Sequence, residues 1–124
     1  MKKLTTTQLD YLQSERRLAR LATADEHGRP QVTPVGMWQY NEELGTIDVS
    51  GRDLQATRKF RNVTANPQSA LVVDDIASID PWRPRAVIIE GPTEAIPADA
   101  SGNSVLRITP DKIISWGLDA VDGG

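Results

Sequence analysis

The sequence contains no cysteine. That excludes disulfides, thiolate nucleophiles, iron–sulfur clusters and cysteine-ligated zinc. It has one histidine, His27, so only one imidazole is available as a base and no multi-histidine metal site can form within one chain. Aromatic residues make up 5% of the chain: Trp38, Trp82, Trp116, Tyr11, Tyr40 and Phe60. A core must therefore be filled by Val, Ile, Leu and Ala, and the aromatic platforms of a single-strand nucleic-acid binder are scarce. No run of about 18 apolar residues occurs, and Met1–Thr7 lacks the apolar stretch of a signal peptide. The expectation is a soluble, cytoplasmic protein with no membrane contact.

What is present is ordinary globular composition: 124 residues, 39% hydrophobic and 25% charged. That length suits one domain spanning residues 1–124, with an acidic, glycine-ending tail from Asp119 expected to fray. The net charge of −3 opposes nonspecific binding to nucleic acid, which relies on bulk positive charge.

Residues 5–18 read as a helix capped by Thr7, with Leu9, Tyr11 and Leu12 on its apolar face. The period then changes. Residues 18–23 lead as a strand into the turn Asp25–Pro30, and a second strand follows over Gln31–Trp38, with Pro34 marking an edge. After a turn at Asn41–Gly45, residues 46–50 alternate as a third strand, giving three antiparallel strands joined by hairpins. Asp53 is placed to cap a helix from Leu54 to Ala65 with Ala56, Phe60 and Val63 as its buried stripe, ended by Asn66-Pro67. A strand over 69–74, an irregular stretch over 75–84 and a long strand over 85–94 with a bend at Gly91-Pro92 come next. A loop over 97–102 and a short strand over 105–108 close the pattern. The fold class expected is mainly β: a six-stranded antiparallel split β-barrel with an N-terminal helix and one mid-chain helix.

Two stretches carry chemistry. In Ser50–Asn62, a glycine at a strand end allows close backbone approach, and a helix start offers N–H groups to an anion. Arg52, Arg58, Lys59 and Arg61 place four cations within ten residues of an acidic chain. The reversal of charge points to a phosphate or other polyanion; the plainer alternative is a solvated helix face. In Asp80-Pro81-Trp82-Arg83-Pro84-Arg85, a stiff segment presents an indole beside positive charge, suited to stacking on a ring or, equally, to anchoring a loop or interface. His27 lies in a turn and reads as solvated. Asp74 and Asp75 are adjacent on a strand and point to opposite faces, so they make a poor acid–base pair. No constellation performs difficult chemistry unaided, and no catalytic residue or metal site is assigned. The arrangement that fits is a barrel holding a cofactor that carries the reaction.

The order Leu21-Ala22-Thr23, Gly28-Arg29-Pro30-Gln31-Val32-Thr33-Pro34-Val35, Thr57-Arg58-Lys59-Phe60-Arg61-Asn62-Val63 and Asn66-Pro67 resembles the pyridoxamine-phosphate-oxidase-like split β-barrels. Asp80–Arg85 and Ile114-Ser115-Trp116-Gly117-Leu118 resemble the branch of that superfamily described as dependent on coenzyme F420. The resemblance covers residues 18 to 118. It implies a homodimer with cofactor sites between subunits, the ring against Gln31, Val32, Thr33, Pro34 and Val35, and the phosphate at Ser50, Gly51, Thr57, Arg58, Lys59 and Asn62. Trp82 and Trp116 would lie near the pocket or the dimer seam. Coenzyme F420 continues beyond its phosphate into a tail with further carboxylates, whereas FMN ends there. Arg52, Arg58 and Arg61 beside Lys59 favour the longer anion by charge complementarity. The implied activity is hydride transfer from F420 to a small organic substrate. The alternatives are an FMN-binding oxidase or reductase and a non-catalytic flavin or deazaflavin carrier. The loop Pro97–Asn103 is too short to form a long lid that would define the substrate.

Overall fold

The computed structural model describes residues 1–118; the tail expected to fray lies outside them. Their order is α1 (Thr6–Ser14), β1 (Ala19–Ala24), β2 (Pro30–Val35), β3 (Trp38–Asn41), β4 (Thr46–Val49), a 3-10 turn (Leu54–Ala56), α2 (Arg58–Ala65), β5 (Gln68–Ser78), β6 (Arg83–Ile96), β7 (Val105–Ile108) and β8 (Lys112–Trp116). The fold is mainly β, as expected, but with eight strands in place of six.

All pairings are antiparallel, in the order β2-β1-β5-β6-β7-β4-β3, with β8 on β6. The two edge strands of that path, β2 and β3, are consecutive in the chain and separated only by Gly36-Met37. The path therefore returns on itself through a covalent corner rather than a hydrogen-bonded seam, which is a split barrel. Counting β2 and β3 as one stave, and setting β8 aside, recovers the six read from the sequence. β6 is shared at the other side: residues 86–90 pair with β8 and residues 93–96 with β7. The change of partner falls at the expected bend, where a Cβ on Gly91 would lie 1.9 Å from the Thr109 carbonyl oxygen. Only glycine fits there.

The core is aliphatic: Leu21, Leu71, Val73, Val87 and Ile89 from one half-sheet meet Ile47, Val49, Leu106 and Ile108 from the other, all fully buried. Among the described residues no helix is long and apolar enough to cross a membrane.

Local expectations needed correction at five points. Thr5, not Thr7, caps α1, with a reciprocal bond between Thr5 and Gln8, and the helix ends at Ser14 rather than Leu18. The strand expected over Gln31–Trp38 breaks at Gly36-Met37, so β4 pairs with β3 and β7 rather than completing a three-strand meander with β2. Asp53 sits in the left-handed region at φ 51° and caps nothing. Thr57, extended at φ −84°, ψ 158°, interrupts the expected single helix and caps α2 instead, and Ala56 is exposed while Phe60 and Val63 are buried. The stretch expected to be irregular over 75–84 is mostly ladder: β5 runs on to Ser78 and β6 begins at Arg83, so only 79–82 turn.

Candidate functional site

The helix start is electrostatically odd. The Thr57 hydroxyl accepts from the Phe60 N–H at 3.3 Å and donates to the Leu54 carbonyl at 2.6 Å, and the Arg61 N–H reaches the Thr57 carbonyl at 3.2 Å. The N–H groups of Arg58 and Lys59 have no acceptor within the helix, as its first turn dictates. That turn holds no acidic residue. It carries two cations instead, at the end of the helix dipole that favours anions. Among the described residues, Arg52, Arg58 and Lys59 form no ion pair, and Arg61 donates only to the Ala56 carbonyl at 3.0 Å. Several arginines elsewhere are neutralised: Arg17 and Arg85 on Asp75, Arg20 on Asp74, Arg29 on Asp25 and Arg107 on Asp48. The segment singled out from sequence thus gathers several uncompensated cations in one place.

The strand expected to carry a ring lies beside this helix. Asn62, 5% exposed, donates through Nδ2 to Thr23 Oγ1 at 3.1 Å and to Gln31 Oε1 at 3.4 Å. Arg58 and Lys59 stand one turn earlier on the neighbouring helix positions, four and three residues before Asn62. At the other end of β2, the Ser50 N–H donates to the Met37 carbonyl at 2.8 Å, which sets Ser50 and Gly51 against the β2–β3 corner. Gly51 has no left-handed φ, and a Cβ there would meet nothing within 4 Å. Its open side is free for close approach. β2 is an edge strand paired only with β1, so part of its backbone faces outward unpaired. Its side chains alternate: Gln31 and Thr33 are half-buried, Val35 lies in the core at 5% exposure, and Val32 and Pro34 are exposed on the opposite face. Val35 can therefore meet a ligand only through its backbone, and the Thr57 hydroxyl is already engaged.

Trp82 lies away from the Asn62–Gln31 contact within one subunit. The Thr23–Gln31 level of the sheet corresponds to the start of β5, whereas Trp82 follows Ser78 at the far tip of the β5–β6 turn. Along the strand that is about 30 Å at ~3.3 Å per residue from the Gln31 end, and about 17 Å from the Val35 end, whose level on β5 is Val73. It is 63% exposed, and the Asp80-Pro81 bond before it is cis. His27 is exposed in its turn, 3.4 Å from Glu26. Asp74 and Asp75 do face opposite ways, one to Arg20 and the other to Tyr11, Arg17 and Arg85. Burial would raise the Asp75 carboxyl, but hydrogen bonds from Arg85, Arg17 and Tyr11 and the Arg17 charge outweigh it and hold it at about 2. Among the described residues no group of three or more His, Asp or Glu is placed to hold a metal. Sequence reasoning did not single out Thr23, the buried partner of Asn62; a hydroxyl in the otherwise apolar run Leu21-Ala22-Thr23 was its one signal.

Residues 5–122 match the family described as pyridoxamine 5'-phosphate oxidase. A protein of Streptomyces rimosus subsp. rimosus, named as a 5a,11a-dehydrotetracycline/5a,11a-dehydrooxytetracycline reductase, is 39% identical over 121 residues, covering 93% of this chain and 84% of that one. Among solved structures, a conserved hypothetical protein from Mycobacterium tuberculosis superposes with a TM-score of 0.72 at 16% identity, over 98% of this chain and 93% of that one. A protein described as F420 reductase superposes with a TM-score of 0.65 at 19% identity, over 85% and 94%.

Proposed function

This chain belongs to the pyridoxamine 5'-phosphate oxidase family, and on that premise we propose that it is an oxidoreductase of reductase type using the deazaflavin coenzyme F420. The observation that carries the reading is the uncompensated cation cluster at the start of α2, set beside an edge strand. Its donor chemistry fits a phosphate: two free N–H groups, Arg58 and Lys59 on the first turn, and an open glycine nearby. Arg52 and Arg61 extend the positive charge past what one phosphate needs, which supports the longer anion over FMN. The reductase name of the 39%-identical relative, and the description of a structural neighbour as F420 reductase, support the same choice.

When bound, F420 supplies a two-electron hydride donor. The chain's own contribution is binding and orientation. Arg58, Lys59, Ser50 and Gly51 hold the phosphate end, Asn62 fixes Gln31 against Thr23, and the outward backbone of β2 meets the polar edge of the ring. The set holds no Asp, Glu, His or Tyr side chain, so a proton for the product comes from solvent. The substrate is a small molecule with an activated carbon–carbon double bond, the bond type that accepts hydride at one carbon and a proton at the next.

The working unit is a homodimer. Val32, Ile76 and Trp116 are exposed at 67%, 48% and 49% along one face of β2-β1-β5-β6-β8. A second copy covering that face would bury them and bring its own Trp82 toward the first copy's site. Titration of the purified chain with F420 and with FMN, together with light scattering, tests the reading. Tight F420 binding by a dimer, and oxidation of reduced F420 on adding an enone, are expected. A yellow FMN-loaded protein without F420 affinity would overturn the cofactor. F420 binding that stays inert against alkenes, enones and quinones would mark a carrier.

A further inference from the structure

A concavity lies where the chain passes from α1 into β1 and opposite β3. Its volume is about 380 Å³, within the range of small-molecule sites, and its lining includes Leu12, Arg16, Gly36, Trp38 and Tyr40. Leu12, 4% exposed, belongs to the core beneath. The Trp38 indole is held rather than loose: its Nε1–H donates to the Arg17 carbonyl at 2.8 Å, and the ring packs against the core. Arg17 is itself fixed by Asp75 at 2.9 Å and by its contact over the Tyr11 ring at 4.0 Å. The concavity thus has a rigid aromatic wall.

Charge and shape add two independent observations. Arg16 reaches across to the Gly36 carbonyl at 3.0 Å and has no carboxylate partner among the described residues. Glu15, also on the lining, is already paired with Arg17 at 3.0 Å. The charge left open to a ligand is therefore positive. Gly36 is not required by the fold, since it has no left-handed φ and a Cβ there would make only an ordinary 3.7 Å contact with Leu18. Gly36 is part of the lining, so a larger side chain there is expected to narrow the concavity. Gly36 also follows Val35 directly, so the groove adjoins the strand assigned to the cofactor ring.

We propose that this groove binds a flat, conjugated, anionic ring system, with an enolate or phenolate oxygen at Arg16 and the ring face against Trp38. That this ligand is the reductase's substrate rests on the function proposed above; that the groove binds it does not. Aromatic walls reward planarity, and a lone guanidinium rewards a delocalised oxyanion over a neutral ketone.

The test is binding without cofactor, using tetracycline as an enolate-bearing polyhydroxylated probe and 9-fluorenone as a neutral planar control, followed by ligand fluorescence. Saturable tetracycline binding is expected, at least tenfold tighter than the control. Arg16→Gln should weaken it about tenfold, as loss of one charge-assisted contact does. Gly36→Val should weaken it by at least tenfold while the thermal midpoint stays with wild type, because the fold does not need the glycine. Unchanged affinity in Gly36→Val, or equal affinity for both probes, would overturn the proposal. F420 affinity measured on the same variants separates the two readings. A wild-type protein that binds tetracycline but not F420 leaves the groove and removes the cofactor; one that binds F420 but not tetracycline does the reverse.

Discussion

Two arginine-rich clusters sit toward opposite ends of the half-sheet β2-β1-β5-β6. At one end Asp75 receives Tyr11 Oη at 3.0 Å, Arg17 Nε at 2.9 Å and Arg85 at 2.8 and 2.6 Å. The Arg17 side chain is only 7% exposed, and its Nη1 also donates to the Tyr11 carbonyl at 2.6 Å. Every charge there has a partner, and the set ties α1 to the β5–β6 ladder. At the other end, the first turn of α2 holds cations that answer to nothing in the described chain. The residue types match, but their hydrogen-bond ledgers do not. A fold that uses arginine as structure closes its bonds; one that leaves guanidinium and ammonium groups open at a helix start gains no stability from them. On the function proposed above, that difference separates scaffold charge from ligand-binding charge.

Asp75→Ala attacks the closed cluster and should have the largest effect. It strands Arg85 and leaves Arg17 with only the exposed Glu15 as an anionic partner, the two arginine side chains being 19% and 7% exposed. Removing one member of a largely buried pair costs about 2–4 kcal/mol, a fall in Tm on the order of 10 °C for a domain this size. A melt within 2–3 °C of wild type (roughly the effect of a surface change) would make the cluster incidental. Lys59→Ala attacks the open one and should do the opposite. Stability should hold, while F420 binding weakens by roughly 10- to 150-fold, the worth of a charge-assisted contact of about 1.5–3 kcal/mol. Equal affinities, or equal salt slopes, would return Lys59 to the solvated face of an ordinary helix.

The open cluster was readable from sequence because its signal is local: four cations in ten residues of an acidic chain need no tertiary knowledge. The aliphatic core and the first hairpin were readable for the same reason, through the turn Asp25–Pro30 and the alternation around Leu21. The closed cluster was not. Tyr11, Arg17, Asp75 and Arg85 meet only because β5 pairs with β6 in one register and α1 lies across their end. Asp75 looked like the start of an irregular stretch for that reason. β8 was missed likewise, since its pairing with residues 86–90 is invisible in its own five residues. The break between the 3-10 turn and α2 was hidden by competition between two capping residues. Asp53 had the right chemistry, but Thr57 won because its hydroxyl bonds both sides of the junction. Within the candidate site, the Gln31–Asn62 contact and the remoteness of Trp82 are both products of register, not of residue type.

Acid should also distinguish the clusters. The Asp75 carboxyl stands at about 2 in the folded chain against an ordinary 3.8. A carboxylate depressed by folding contributes stability that is present above its unfolded value and lost as pH falls through the folded one. The expected loss therefore runs between about pH 4 and pH 2. A shift of this size corresponds to roughly 2.5 kcal/mol, reduced to about 1–2 because a quarter of the side chain meets solvent, 24%. Urea midpoints across that window should fall in wild type and flatten in Asp75→Asn. Parallel curves would place the acid sensitivity elsewhere, with Asp48 the next group to test, since it too is held low by Arg107, Asn41 and Thr46 against its own burial.

The smallest expected effect sharpens the comparison most, because it asks how far the open cluster extends. Arg52 lies exposed in the turn after β4, outside the first turn of α2, and has no ion pair among the described residues. A phosphate held by Arg58 and Lys59 does not need it; a longer anionic tail does. Arg52→Ala should therefore weaken F420 by about two- to fivefold, under ~1 kcal/mol, as befits one exposed charge in water. FMN should lose less, and the F420 deficit should shrink as salt rises past the point where the screening length falls below ~5 Å. Equal losses for both ligands would move Arg52 onto the phosphate they share. No loss for either would confine the site to the helix start and take away the charge argument for F420 over FMN.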